Sequence, residues 1–139
     1  MREIVACLDE VASVAREILE LIPDESILIL NGDLASGKTT IVKAIAKLKG
    51  YESEVTSPTF SLEHIYSDRL FHYDLYRVDF EDLVSLGLIN EFEREGLHLI
   101  EWADDSLKRL LLGAGFELFE LNIKPKGSCR VYKIERLNA

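Results

Sequence analysis

Ile27-Leu28-Ile29-Leu30-Asn31-Gly32-Asp33-Leu34-Ala35-Ser36-Gly37-Lys38-Thr39 decides how the rest of this sequence is read. The four apolar residues at its start are short, rich in β-formers and uninterrupted, as in a strand buried on both faces. The eight residues from Gly32 to Thr39 match G-x-x-x-x-G-K-[ST] at every defined position. Thr39 to about Lys49 then predicts a helix, ended by Gly50. Strand, glycine-rich turn and helix in that order form a phosphate cradle. The glycines let the backbone N–H groups face inward, and the helix N-terminus adds positive partial charge. Gly32, Asp33, Leu34, Ala35, Ser36, Gly37, Lys38 and Thr39 are therefore the candidate nucleotide-binding residues. Lys38 is expected to reach the β- and γ-phosphates and the Thr39 hydroxyl to ligate magnesium. A plain turn before a helix would account for the two glycines but not for the lysine.

Working outward, residues from about Asp9 to Ile22 place Val11, Val14, Ala15, Ile18, Leu21 and Ile22 at helical spacing, with Pro23 after the helix end. Val55 to Arg77 alternates in the manner of strands, with Phe60, Leu62 and Ile65-Tyr66, a turn at Ser67-Asp68, and Leu70 to Tyr73 returning. Asp79 predicts a helix cap, with the helix running through Leu86 and closed by Gly87. Leu97 to Ile100 is a further buried strand, and Asp104 begins another short helix. Phe116 to Ile123 and Cys129 to Leu137 form a closing hairpin around Pro125-Lys126-Gly127. The fold class that follows is a P-loop NTPase-like three-layer α/β domain. Its sheet is small and mixed, since hairpins require antiparallel pairing beside the parallel P-loop strand. No repeat or linker interrupts the chain, so residues 1–139 are expected to form one domain.

Composition narrows the partners. The chain carries a net charge of −9, which disfavours stand-alone binding to a phosphate backbone. No apolar run approaches the roughly 20 residues that span a bilayer, and the N-terminal stretch turns acidic too early for a signal peptide. A cytoplasmic protein without membrane contact is expected. Cys7 and Cys129 lack metal or redox spacing and are expected to be reduced, structural thiols.

Hydrolysis of a bound nucleotide needs an acid near the metal and a group that orients water. Two acids end apolar strands: Asp74 after Leu70-Phe71-His72-Tyr73, and Glu101 after Leu97-His98-Leu99-Ile100. Spacing does not say which is nearer the metal. Ser57-Pro58-Thr59 reads equally as a switch-like loop sensing the γ-phosphate and as a capped turn before Phe60. His64, His72 and His98 alternate with apolar residues and read as ordinary strand histidines. Arg77 reads as a salt-bridge partner for the acidic surface, the alternative being a contact to phosphate or to a partner.

Gly32-Asp33-Leu34 leading into Gly37-Lys38-Thr39-Thr40, then Ser57-Pro58-Thr59-Phe60, Tyr73-Asp74-Leu75-Tyr76-Arg77 and Glu101-Trp102 occur in order at fitting intervals. In these motifs the chain resembles the TsaE (YjeE) family, P-loop ATPases of bacterial tRNA threonylcarbamoyladenosine (t6A) biosynthesis. The resemblance runs from about Ile27 to Asp104. It implies ATP and Mg2+ as cofactors and one P-loop ATPase domain that acts with the TsaD and TsaB proteins, reaching tRNA only through that complex. It also implies that Lys38, Asp74 and Glu101 are catalytic, and that Thr39, Thr59, Asp74 and Glu101 surround the metal. Thr40 joins the phosphate loop, and Trp102 lies beside the nucleotide. One departure is visible: the family loop usually reads G-D-L-G-A-G-K-T, whereas Ala35 and Ser36 fill its centre here.

Two other functions compete. A P-loop small-molecule kinase would need an acceptor pocket and usually an arginine-bearing lid, but the eight arginines are scattered singly. A GTP-dependent switch would need an N-K-x-D segment to select guanine, and the sequence has none.

Overall fold

The computed structural model describes residues 2–33, 37–51, 55–56, 62–76 and 78–138. Eight strands form one sheet: β1 (Arg2–Ala6), β2 (Ser26–Asn31), β3 (Val55–Thr56), β4 (Glu63–Ser67), β5 (Leu70–Asp74), β6 (Leu97–Glu101), β7 (Leu118–Lys126) and β8 (Cys129–Arg136). Their spatial order is β1-β8-β7-β2-β6-β5-β4-β3. The centre, β7-β2-β6-β5, is parallel, and antiparallel pairs extend it on both sides. The expected mixed sheet is thus present. The P-loop strand β2 sits between β6 and β7, buried on both faces, and this is why its residues read as a continuous apolar run.

Among the described residues, four α-helices cover the sheet: α1 (Val11–Leu21), α2 (Lys38–Leu48), α3 (Phe80–Leu86) and α4 (Asp105–Gly113). One core lies between the sheet and α1 with α2. There Val14, Ala15, Ile18, Ile41, Val42 and Ile45 meet Leu28 and Leu30. The opposite core packs Leu83, Leu107 and Leu111 of α3 and α4 on Ile27, Ile29, Phe71 and Ile100. The alternation of β2 side chains between two helical layers is the three-layer arrangement.

Local signals set the helix ends. Asp104 caps α4, its Oδ1 accepting the Leu107 N–H at 2.8 Å. Asp79 occupies the N-cap of α3, and Gly87 closes that helix in the left-handed region. The predicted first helix is divided, with a 3-10 turn at Leu8–Glu10 preceding α1. The Cys7 N–H donates to Glu10 Oε1 at 3.0 Å and fixes that turn. Gly96, before β6, has no room for a side chain: a Cβ there would lie 2.4 Å from the Arg69 carbonyl oxygen.

The strand β1 was not anticipated, and it changes the reading of the cysteines. Its antiparallel register with β8 runs from Arg2 opposite Ile134 to Ala6 opposite Arg130. One step further, Cys7 faces Cys129 with Cα atoms 4.1 Å apart, and the two sulfurs are bonded. The expected reduced thiols are thus corrected to a cross-strand disulfide, because distant strands pair where no sequence spacing hints at it.

Against the 3-10 turn Leu88–Glu93 lies a buried polar group. Tyr73 Oη and His98 Nδ1 share a hydrogen bond at 2.7 Å, and His98 Nε2–H donates to the Arg94 carbonyl at 2.7 Å. Both ring nitrogens are thereby partnered. Burial lowers the His98 pKa, the hydrogen bond to Arg94 opposing it, and burial pushes the Tyr73 phenol far above its ordinary range.

Two outcomes follow from this packing. The disulfide spans a sequence separation of 122 residues, so reduction should remove about 2–4 kcal/mol. Thermal melts with and without dithiothreitol would show it, and Cys7→Ser should abolish the difference. For His98, the unfolded chain takes up a proton near its ordinary value of 6.5 while the folded ring resists it. Stability is therefore complete above that pH and declines as pH falls below it. His98→Gln, which keeps an acceptor and a donor without titrating, should flatten melting temperature between about pH 7 and 5.

Candidate functional site

The parallel strands β2, β5 and β6 end on the same edge of the sheet, where α/β folds present their ligands. From β2 the chain runs into Gly32 and Asp33, and α2 starts at Lys38 with Gly37 as its N-cap. Gly37 has φ +101°, a conformation that L side chains rarely adopt. Leu34, Ala35 and Ser36, the centre of the predicted phosphate loop, lie outside the described residues, as do Ser57, Pro58, Thr59 and Arg77.

Lys38 is the anchor of this region. It is only 4% exposed. Its Nζ donates to the Gly32 carbonyl at 2.5 Å and lies 3.5 Å from the centroid of the Trp102 ring. Burial lowers its pKa, while the carboxylates of Glu101, Asp74 and Asp33 act in the opposite direction. The lysine thus stays close to three acids without a direct ion pair to any of them among the described residues.

Asp74 and Glu101 occupy paired positions at the ends of β5 and β6. Both follow the alternation of Leu70, Leu97 and Leu99, which belong to the core under α1 and α2. The two acids are therefore on the P-loop helix side of the sheet. Their environments differ. Asp74 is exposed, and its Oδ1 accepts the Tyr76 N–H at 3.2 Å. Glu101 is buried, and its Oε2 accepts from His72 Nε2 at 2.5 Å. His72 Nδ1 is buried without a partner among the described residues, which favours the tautomer with its proton on Nε2. Thr39 is exposed and Thr40 half-buried on the first turn of α2.

Trp102 follows Glu101 with φ +66°, the one non-glycine residue with positive φ among the described residues. A left-handed bulky residue costs on the order of 1–3 kcal/mol and persists only where its surroundings determine it. Here the Lys38 ammonium lies on the ring, and the Tyr76 ring is 5.0 Å away. Trp102 thus joins the D-L-Y-R and E-W segments to the phosphate loop. Beside it opens a cavity of about 780 Å³, walled by Asn31, Gly32, Asp33, Trp102, Asn122 and Lys124 among others.

The structure therefore gathers Gly32, Asp33, Gly37, Lys38, Thr39, Thr40, Asp74, Glu101 and Trp102 on one edge of the sheet. Sequence reasoning missed His72, whose contact with Glu101 depends on β5 and β6 being parallel neighbours. It also missed Arg130. A Cβ built on Gly37 would lie 3.0 Å from Arg130 Nη1. Neither residue carries a local motif.

The donor set fits a nucleotide-borne metal better than a protein cage. Among the described residues no group of three His, Cys, Asp or Glu side chains could hold an ion together. One or two carboxylates and a hydroxyl beside a phosphate cradle is the arrangement magnesium favours. Also among the described residues, no helix is long and apolar enough to cross a membrane.

Comparison with known proteins agrees with this geometry. A family model described as Threonylcarbamoyl adenosine biosynthesis protein TsaE matches residues 5–130. The "tRNA threonylcarbamoyladenosine biosynthesis protein TsaE" of Haemophilus influenzae is 36% identical over 65% of this chain and 60% of its own length. The Bacillus subtilis protein of that name is 37% identical over 68% of this chain and 61% of its own. The match thus spans about three fifths of these two relatives. The Rickettsia prowazekii protein is 34% identical over 89% of both chains. The crystal structure of Bacillus subtilis YdiB superposes with a TM-score of 0.67 at 25% identity, covering 99% of this chain and 87% of that one.

Removing the Lys38 ammonium should be visible without any ligand. Trp102 is the only tryptophan, so Lys38→Ala should change the intensity of intrinsic fluorescence. Lys43→Ala, exposed on the same helix, should leave it unchanged. Equal spectra for all three proteins would exclude the ammonium–ring contact.

Proposed function

The chain belongs to the TsaE family, and from that premise we propose that it is the ATP-binding and hydrolysing subunit of tRNA t6A biosynthesis, working in the cytoplasm with TsaD and TsaB. The observation that carries this reading is the buried Lys38 at the start of α2, adjoined by the strand-end acids Asp74 and Glu101. The net charge of −9 supports a tRNA contact made by the partners rather than by this chain.

Each residue then has a task. Lys38 leaves the Gly32 carbonyl and the Trp102 ring to neutralise charge on the β- and γ-phosphates. Backbone N–H groups from Gly32 to Thr39, and the first turn of α2 with Thr40, hold the phosphates. Thr39, Thr59, Asp74 and Glu101 would surround magnesium. The metal would supply charge neutralisation on the phosphates. Glu101 keeps Oε2 on His72, leaving Oε1 to accept a hydrogen bond from the attacking water. His72 is thus a positioning residue: it fixes the carboxylate without touching substrate. Trp102 borders the nucleotide.

Glu101→Gln should retain ATP binding but lower hydrolysis in the presence of TsaD and TsaB about 10²-fold or more. Lys38→Ala should lose both binding and t6A formation on tRNA. His72→Phe should lower turnover less than Glu101→Gln and leave ATP affinity near the wild-type value. Wild-type hydrolysis by Glu101→Gln would remove Glu101 from the mechanism. Undiminished t6A formation with Lys38→Ala would overturn the whole reading.

A further inference from the structure

Arg130 opens β8 after Cys129 and lies opposite Ala6 on β1 and Pro125 on β7. Alternation places it in one row with Tyr132 and Ile134, both buried in the core under α1 and α2. At this end of the row the sequence puts a cation where the next two inward positions, Tyr132 and Ile134, are buried core residues. Its guanidinium reaches the first turn of α2: a Cβ on Gly37 would meet Nη1 at 3.0 Å, Cζ at 3.2 Å and Nε at 3.5 Å. Among the described residues no carboxylate is paired with it, although the chain carries 25 acids.

A guanidinium at the N-terminus of a helix faces the positive end of the dipole. Lys38, the first residue of the same helix, is a second cation there. Two cations at a helix N-terminus, in a chain of net charge −9, form an arrangement that an anion would complete. We propose that Arg130 is a phosphate ligand of the nucleotide site, closing the cradle from the β7–β8 hairpin opposite Lys38. The inference rests on the nucleotide-binding reading above and adds one residue to it. Arginine suits the task because its planar fork donates two parallel hydrogen bonds to phosphate oxygens. The Cys7–Cys129 bond holds the adjoining backbone, so the fork is delivered from a fixed base.

Titration of ATP, ADP and adenosine against Trp102 fluorescence, checked by calorimetry, tests the proposal. Arg130→Ala should weaken ATP and ADP roughly ten- to a hundredfold, with adenosine unaffected. Arg130→Lys, which keeps the charge and loses the fork, should fall between wild type and Arg130→Ala. Circular dichroism melts identify a folding defect. If Arg130→Ala fails to fold, Arg130→Lys and Arg130→Gln decide the matter by the same ratio of ATP to adenosine affinity. Unchanged ATP affinity in these variants, with binding lost in Lys38→Ala, overturns the role of Arg130 and leaves the P-loop reading intact. A wild-type protein that binds neither ATP nor ADP overturns both.

Discussion

The Lys38 ammonium sits at the start of α2, where burial and the helix dipole both oppose a positive charge. The surroundings compensate. The Gly32 carbonyl accepts a hydrogen bond, the Trp102 face supplies a negative quadrupole, and three carboxylates contribute attraction from a distance. Each depends on a different part of the chain. Gly32 comes from the end of β2, Trp102 from a left-handed residue after β6, and Asp74 from the end of β5. The parallel register of those strands therefore determines whether the lysine can be buried at all.

The same register distinguishes the two acids. Adjacent in space, they differ in their surroundings: Glu101 is buried and bonded to His72, whereas Asp74 is exposed. His72 and Asp74 are two residues apart on β5, on one face, so a single strand supplies the partner of one acid and the other acid itself. Sequence spacing alone could not separate Asp74 from Glu101, whereas strand pairing gives them different surroundings.

What the sequence made legible was local. The buried strand and α2 flank one contiguous segment, and the α3 and α4 caps lie within a few residues of the turns they begin. The closing hairpin was legible, but its turn was placed early: β7 runs on through Pro125 and Lys126, and the chain turns at Gly127 and Ser128. Features created by distant pairing were not legible. The strand β1 is recognisable only through β8, more than a hundred residues later. The cysteine pair, the contact of His72 with Glu101, and the position of Arg130 against Gly37 all follow from such pairings. The left-handed Trp102 is illegible for another reason: side-chain type argues against positive φ, and the surrounding contacts override it.

The bond between Cys7 and Cys129 joins positions near the two ends of the described chain. It closes residues 7–129 into a covalent ring. The phosphate loop, both acids and Trp102 all belong to the ring. A protease that cuts once inside it leaves two segments in one molecule, linked through β1 and β8. Such a nicked species keeps its mass, apart from one added water, until the thiols are released.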